Sequence, residues 1–234
     1  MAADPLNVPV IAIDGPSASG KGTVAARVAS ALGFRYLDSG ALYRLATLAA
    51  IEAGVGLDDE AALARIARAM EVQFVDGATL LGGRDVSEAL RTEEVSAATS
   101  RVAARPAVRT ALLERQRAFR RAPGLVAEGR DMGSIVFPDA ALKVFLTASI
   151  ETRAERRYKQ LMEKGMYAKM SDVVEELGRR DERDRSRPVA PLRHYPDAFF
   201  LDTSGLSVEA AVDRVLAWWR ERPSRPGRDT GAGR

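Results

Sequence analysis

Nine consecutive residues near the start of the chain, Gly15-Pro16-Ser17-Ala18-Ser19-Gly20-Lys21-Gly22-Thr23, restrict its fold more than any other stretch. Before them, Val8–Ile13 reads as a buried strand, with Pro9 tolerable only at its beginning. After them, a helical pattern runs from about Thr23 to Leu32 and stops at Gly33. In a strand–loop–helix of this kind the glycines let backbone N–H groups turn inward around an anion. The helix N-terminus adds positive potential. Lys21 then supplies a mobile cation for the β- and γ-phosphates of a nucleotide. Glycine, not serine or threonine, follows the lysine, so the hydroxyl that ordinarily ligates Mg²⁺ is displaced by one residue, to Thr23.

The rest of the chain alternates short apolar runs with helical stretches, the mark of an α/β protein. Strands are expected at Phe34–Leu37, Leu125–Glu128, Leu142–Leu146 and Phe199–Asp202. Helices are expected at Ala41–Ala53, at Glu60–Met70 behind an Asp59 cap, at Glu93–Ala104 and at Pro106–Arg121. Ser149 should cap a charged helix to about Lys164, and Ser171 another to about Arg187. The last helix, Val208–Glu221, carries a stripe of Val212, Val215, Leu216 and Trp219. Between Glu71 and Val86 the pattern changes to a small antiparallel meander with an Asp76-Gly77 turn. The expected fold is a five-stranded, mostly parallel sheet with helices on both faces, interrupted by this antiparallel insert. Ligands of such a sheet bind at the carboxyl ends of its strands. From Arg222 onward there is no apolar period, and residues 222–234 read as a disordered tail.

Composition narrows the chemistry. The 234 residues include no cysteine and one histidine, His194. That excludes disulfide frameworks, cysteine nucleophiles and Cys/His zinc sites, and leaves a Ser-His-Asp hydrolase only His194 as base. No apolar run approaches the roughly 18 residues of a membrane span. The opening Met1-Ala2-Ala3-Asp4 lacks the basic-then-apolar pattern of a signal peptide. A cytoplasmic chain without membrane contact is expected. The formal charge is only +3, but the cations are thirty arginines against five lysines. A GC-rich genome accounts for that bias; arginine forks on phosphates are the functional alternative.

Position selects among those arginines. Arg44 lies one helical turn past Gly40, at the end of the second strand, where it could fork onto a phosphate or simply face solvent. Glu128-Gly129-Arg130-Asp131 sets a charge pair between glycines at another strand end. Arg180, Asp184 and Arg187 share one helical face at i, i+4, i+7, in a charge run that taken alone is usually a solvated, self-paired face, and Arg153, Arg156 and Arg157 lie on the helix before. Together these two helices could close as a hairpin over a nucleotide.

Four segments in this order, Ile13–Thr23, Leu37–Arg44, Glu128–Ala140 and Arg180–Leu192, resemble the bacterial cytidylate kinase family over about residues 8–220. Arg84–Ser87 with Leu90-Arg91-Thr92 resembles that family's extended insert. The resemblance implies a P-loop NTPase-type sheet in one domain over 1–221, an acceptor-binding insert over about 57–104 and a helical lid over about 152–188. It implies ATP on Gly15, Pro16, Ser17, Ala18, Ser19, Gly20, Lys21, Gly22 and Thr23, with Arg156 and Arg157. It implies CMP or dCMP on Ser39, Tyr43, Arg44, Ser100, Arg109, Arg130, Asp131, Asp184 and Arg187. Lys21, Arg130, Arg180 and Arg187 are the expected catalytic cations. Mg²⁺ would arrive with ATP, with Thr23 the candidate direct ligand and Asp38 and Glu128 candidates to hold its waters. The rivals are a kinase for UMP, dTMP or a small alcohol, and a nucleic-acid-binding ATPase module. The low aromatic content and the Asp and Glu residues that break the arginine runs oppose the second. A monomer that binds no nucleic acid is expected.

Overall fold

The computed structural model describes residues 8–75, 78–163 and 165–222. Strand β1 (Val10–Asp14) leads through the glycine-rich loop into α1 (Lys21–Leu32), and β2 (Arg35–Asp38) runs directly into α2 (Ser39–Glu52). Helix α3 (Glu60–Ala69) precedes three short strands, β3 (Val72–Val75), β4 (Ala78–Leu81) and β5 (Arg84–Asp85). Helices α4 (Glu93–Val102) and α5 (Pro106–Arg117) follow, then β6 (Leu125–Gly129), a π-helical turn at Met132–Val136, and β7 (Leu142–Thr147). The hairpin of α6 (Ile150–Glu163) and α7 (Met170–Ser186), then β8 (Phe199–Asp202) and α8 (Val208–Glu221), complete the order.

The main sheet has the order β2-β6-β1-β7-β8, all parallel, and β3-β4-β5 form a separate antiparallel sheet. Central strand β1 is buried along its whole length, which is why it reads as an uninterrupted apolar run. Its alternate residues face opposite ways. Val10 and Ala12 join Leu42, Leu45, Leu112 and Met132 on one side, and Ile11 and Ile13 join Val24, Val28, Val215 and Trp219 on the other. The stripe expected on the last helix is buried as read. Helices α6 and α7 have a small core of their own, Ala154, Leu161, Val173 and Leu177.

Several boundaries depart from expectation. Asp14, not Ile13, ends β1, and α1 starts at Lys21, so the phosphate loop contributes its lysine from the first helical turn. Asp38 caps α2 by accepting from Ala41 N at 3.0 Å, so that helix begins at Ser39. Ser171 does not cap α7: the N-cap is Lys169, which makes no side-chain cap bond, and Ser171 lies inside the first turn. The α5 helix stops at Arg117. Arg187 is the C-cap of α7 in extended conformation, so it leaves the helical face of Arg180 and Asp184. The Asp76-Gly77 turn, Lys164, the opening residues 1–7 and the tail from 223 lie outside the described residues.

Candidate active site

The phosphate loop is fitted against the backbone of β7. A Cβ on Gly15 would stand 1.9 Å from the Leu146 carbonyl oxygen, so only glycine lets the chain pass there. Ser19 Oγ and Lys21 Nζ both donate to the Pro16 carbonyl, at 3.0 and 3.2 Å, closing the loop on itself. Helix α6 holds the loop from outside. Arg153 Nη1 donates to Ser17 O at 3.2 Å, and Arg156 Nη1 to Ser19 O at 3.0 Å. Arg156 also reaches Thr203 O at 2.7 Å, at the end of β8. Arg157 turns the other way and pairs with Glu93 at the start of α4. The structure therefore brings Arg156 to the loop and takes Arg157 away from it.

Lys21 is buried and lies 3.6 Å from Glu128 Oε2. Burial lowers its pKa to about 8, with the Arg130 charge acting in the same direction. Burial raises Glu128 to about 7; Asp38 adds to that rise and Lys21 opposes it. The Tyr36 hydroxyl donates to Glu128 Oε1 at 3.4 Å. The pair is poised: each partner's charge is what keeps the other ionised in a dry setting.

Beside Lys21 lies a cleft of about 110 Å³ at the carboxyl ends of β2 and β6. It gathers Ser39, Tyr43, Arg44, Ser100, Arg109, Arg130, Asp131, Arg180, Asp184 and Arg187, all expected there from the sequence. Thr23 stands exposed on the first turn of α1, outside it. Six cations (Lys21, Arg44, Arg109, Arg130, Arg180, Arg187) face four carboxylates (Asp38, Glu128, Asp131, Asp184) across the cleft, an imbalance that favours an anionic occupant.

The cations are aimed by those carboxylates. Arg44 Nη2 lies 2.7 Å from Asp38 Oδ2. Arg130 donates from Nε to Asp184 Oδ2 and from Nη2 to Ser17 Oγ, each at 2.8 Å, so it spans from the β6 end to the phosphate loop. Asp184 also pairs with Arg187, and these two arginine charges hold its carboxyl below the usual range in spite of burial. Arg109 pairs with Asp131, both buried, and lies over the Tyr43 ring at 5.8 Å. Burial pushes the Asp131 carboxyl up while Arg109 draws it back. Arg180 makes one hydrogen bond, to Ser96 Oγ at 3.2 Å, and burial lowers it to about 10. Ser100 Oγ and Arg187 Nε are buried without a hydrogen-bond partner. Both residues line the cleft, so these polar atoms are open to an occupant of it.

Sequence reasoning missed several supports. Gln116 accepts from Ser39 Oγ at 2.7 Å and fixes that hydroxyl at the cleft wall. Asp14 accepts from Met132 N and Gly133 N, at 2.8 and 2.9 Å, and from the Tyr195 hydroxyl. An acidic residue closing a wholly apolar strand was the available signal for Asp14; nothing local marks Gln116 or Tyr195. His194 donates from Nε2 to Ala198 O at 2.8 Å and packs between Phe145 and Phe200, away from the cleft.

Among the described residues no three His, Asp or Glu side chains gather as a metal cage. The carboxylate oxygens of Asp38 and Glu128 in the cleft suit a Mg²⁺ ion held mostly by phosphates and water, the usual habit of that ion, while Thr23 lies outside the cleft.

A sequence model of the family described as cytidylate kinase matches residues 11–221. A protein of Chromobacterium violaceum named cytidylate kinase is 59% identical over 217 residues, covering 93% of this chain and 98% of that protein. Proteins of the same name from Paraburkholderia phymatum and Bordetella bronchiseptica are each 57% identical over 212 residues. Those matches cover 91% of this chain and 93% and 95% of theirs.

Proposed function

This chain belongs to the cytidylate kinase family, and on that premise we propose that it transfers the γ-phosphoryl group of ATP to CMP or dCMP, giving ADP and CDP or dCDP. The observation that carries the reading is the cleft of five arginines opening directly beside the Lys21 ammonium. Residues 57–104 serve as the acceptor-binding insert and 152–188 as the lid.

The CMP phosphate is already a competent nucleophile at neutral pH, so the protein need only align two phosphates and neutralise charge. Lys21 and the backbone N–H groups of the loop from Ser17 to Thr23 hold the ATP polyphosphate. Arg44 and Arg130 exchange their carboxylate partners for the acceptor phosphate, each presenting a planar fork. Ser39 lies beside them, oriented by Gln116. Ser100, Arg109 and Asp131 read the cytosine edge, and Arg180, Asp184 and Arg187 meet the ribose and the transferring group. Mg²⁺ arriving with ATP would supply further charge neutralisation, with Asp38 and Glu128 the residues that would hold its waters and Thr23 a candidate direct ligand. Closing α6–α7 over the nucleotides excludes water and so suppresses ATP hydrolysis.

No helix among the described residues is long and apolar enough to cross a membrane. We read the protein as a cytoplasmic monomer of pyrimidine nucleotide metabolism that does not bind nucleic acid. ADP release measured across CMP, dCMP, UMP, AMP and dTMP tests the assignment. Turnover should be high with CMP or dCMP, lower with UMP and poor with the rest. Equal use of UMP would overturn it.

A further inference from the structure

The mechanism leaves Asp14 without a task, although this carboxylate is fully buried at the edge of the site. It is the last residue of β1, one position before Gly15. Its two oxygens receive three donors: Met132 N, Gly133 N and the Tyr195 hydroxyl. Met132 and Gly133 directly follow Arg130 and Asp131, the pair assigned to the acceptor phosphate and base. Tyr195 lies on the return path from the lid, eight residues past Arg187. One carboxylate thus ties the phosphate loop, the acceptor-reading turn and the return from the lid. The contact is tight: a Cβ on Gly133 would stand 2.3 Å from the Tyr195 hydroxyl oxygen.

Only a carboxylate offers two oxygens that both accept and never donate. An amide would turn an N–H toward one of the donors, and an apolar residue would leave two backbone N–H groups unpaired in a dry interior. Burial raises the Asp14 pKa to about 6 even with all three donors in place, so the arrangement is not an economical way to cap a turn. Its geometry instead fixes the distance between the two halves of the site.

We propose that Asp14 is a positioning residue: together with Tyr195 it holds the turn bearing Arg130 and Asp131 in register with the phosphate loop, so that the acceptor phosphate meets the γ-phosphate in line. This rests on the function proposed above. It takes the acceptor turn as the part displaced when the clamp is lost, while the ATP-binding loop keeps its own internal bonds.

The test measures kcat, KM for CMP, KM for ATP and melting temperature for wild type, Tyr195→Phe, Asp14→Asn and the double variant. Misplacing a bound group by about 1 Å costs on the order of a hundredfold. Asp14→Asn should therefore lose roughly ten- to hundredfold in kcat with CMP, and Tyr195→Phe a severalfold share of that, with KM for ATP little changed in both. The double variant should fall no further than Asp14→Asn alone, since both act through one contact. Should Asp14→Asn fail to fold, Tyr195→Phe, which keeps the ring and loses one hydroxyl, decides alone. Folded variants with lowered melting temperature but wild-type kcat and KM for CMP would overturn the inference, leaving Asp14 a purely structural cap. A wild-type protein inert toward CMP would overturn the proposed function and this inference together.

Discussion

Two ionisable side chains in the cleft make predictions that differ in kind. If Lys21 meets the phosphates it must carry its proton, and its burial lowers the pKa to about 8. The pH dependence of kcat/KM reports groups of the free enzyme, that of kcat groups of the loaded one. As pH rises through about 8, kcat/KM for ATP should fall roughly tenfold per unit, because the uncharged amine no longer binds. Bound phosphates restore the lysine's affinity for its proton, so kcat should hold to higher pH. Lys21→Arg, always charged, should lack the alkaline limb, and Lys21→Ala should lower kcat at least about a hundredfold. A kcat/KM that stays level well above pH 8 in wild type would show that Lys21 is not the cation that ATP needs. Asp131 tests selectivity. Cytosine offers a donor at N4 where uracil offers an acceptor, and a carboxylate accepts only. Asp131→Asn keeps the shape and removes that preference, at about 1–3 kcal/mol for a mispaired buried edge. The ratio of kcat/KM for CMP to that for UMP should fall about ten- to hundredfold. An unchanged ratio would move base reading to Ser100 and Arg109 alone.

Helices α6 and α7 are joined to each other by a buried ion pair, Arg153 Nη2 to Asp181 Oδ2 at 2.6 Å, with both side chains about 5% exposed or less. The same guanidinium donates to Ala148 O and Ser17 O. Breaking one side of a buried pair costs about 3–5 kcal/mol, because the partner is left charged and dry. Asp181→Ala should therefore lower the melting temperature by several degrees. It should also raise KM for ATP, since Arg153 is then free to abandon Ser17. A variant with lowered stability but unaltered KM for ATP would confine the pair to packing. The sequence placed Arg153 on this helix but could not show its partner, because Asp181 lies 28 residues away and the arginine run around it looks like a solvated face. What was legible follows the same physics. The strand–loop–helix at 10–32, the mostly parallel sheet, and Arg44 and Arg130-Asp131 at strand ends follow from period and local turn chemistry, whereas Ser39, Tyr43, Ser100 and Arg109 are expected only through the family resemblance. The π-helical turn at Met132–Val136, the Lys169 start of α7 and the Asp14–Tyr195 contact depend on tertiary partners that no local pattern encodes.

At the scale of the molecule the three cores are unequal, and that inequality predicts where the protein opens. Two apolar clusters sandwich the main sheet and include every strand from β1 to β7 that belongs to it. The α6–α7 hairpin has a cluster of only four buried apolar residues, and polar ties join it to the rest: Arg153 and Arg156 to the phosphate loop, Arg157 to Glu93 and Arg180 to Ser96 on α4, and Asp184 to Arg130. Segments with few buried apolar contacts open locally, well below the free energy of global unfolding. Amide hydrogen exchange in the free protein should therefore be fast in α6 and α7 and slow in β1, β6 and β7. ATP with CMP would bridge lid, loop and insert through the same arginines and so add their binding free energy to lid closure. At ligand concentrations near a hundred times Kd, linkage supplies about 2.7 kcal/mol, or roughly hundredfold slower exchange of the α6–α7 amides. An ATP analogue that cannot be hydrolysed, used with CMP, allows the measurement at equilibrium. Equal exchange rates in α7 and β6 of the free protein would show that the lid is not a separate opening unit. A lid that exchanges no more slowly with both nucleotides bound would remove closure from the mechanism.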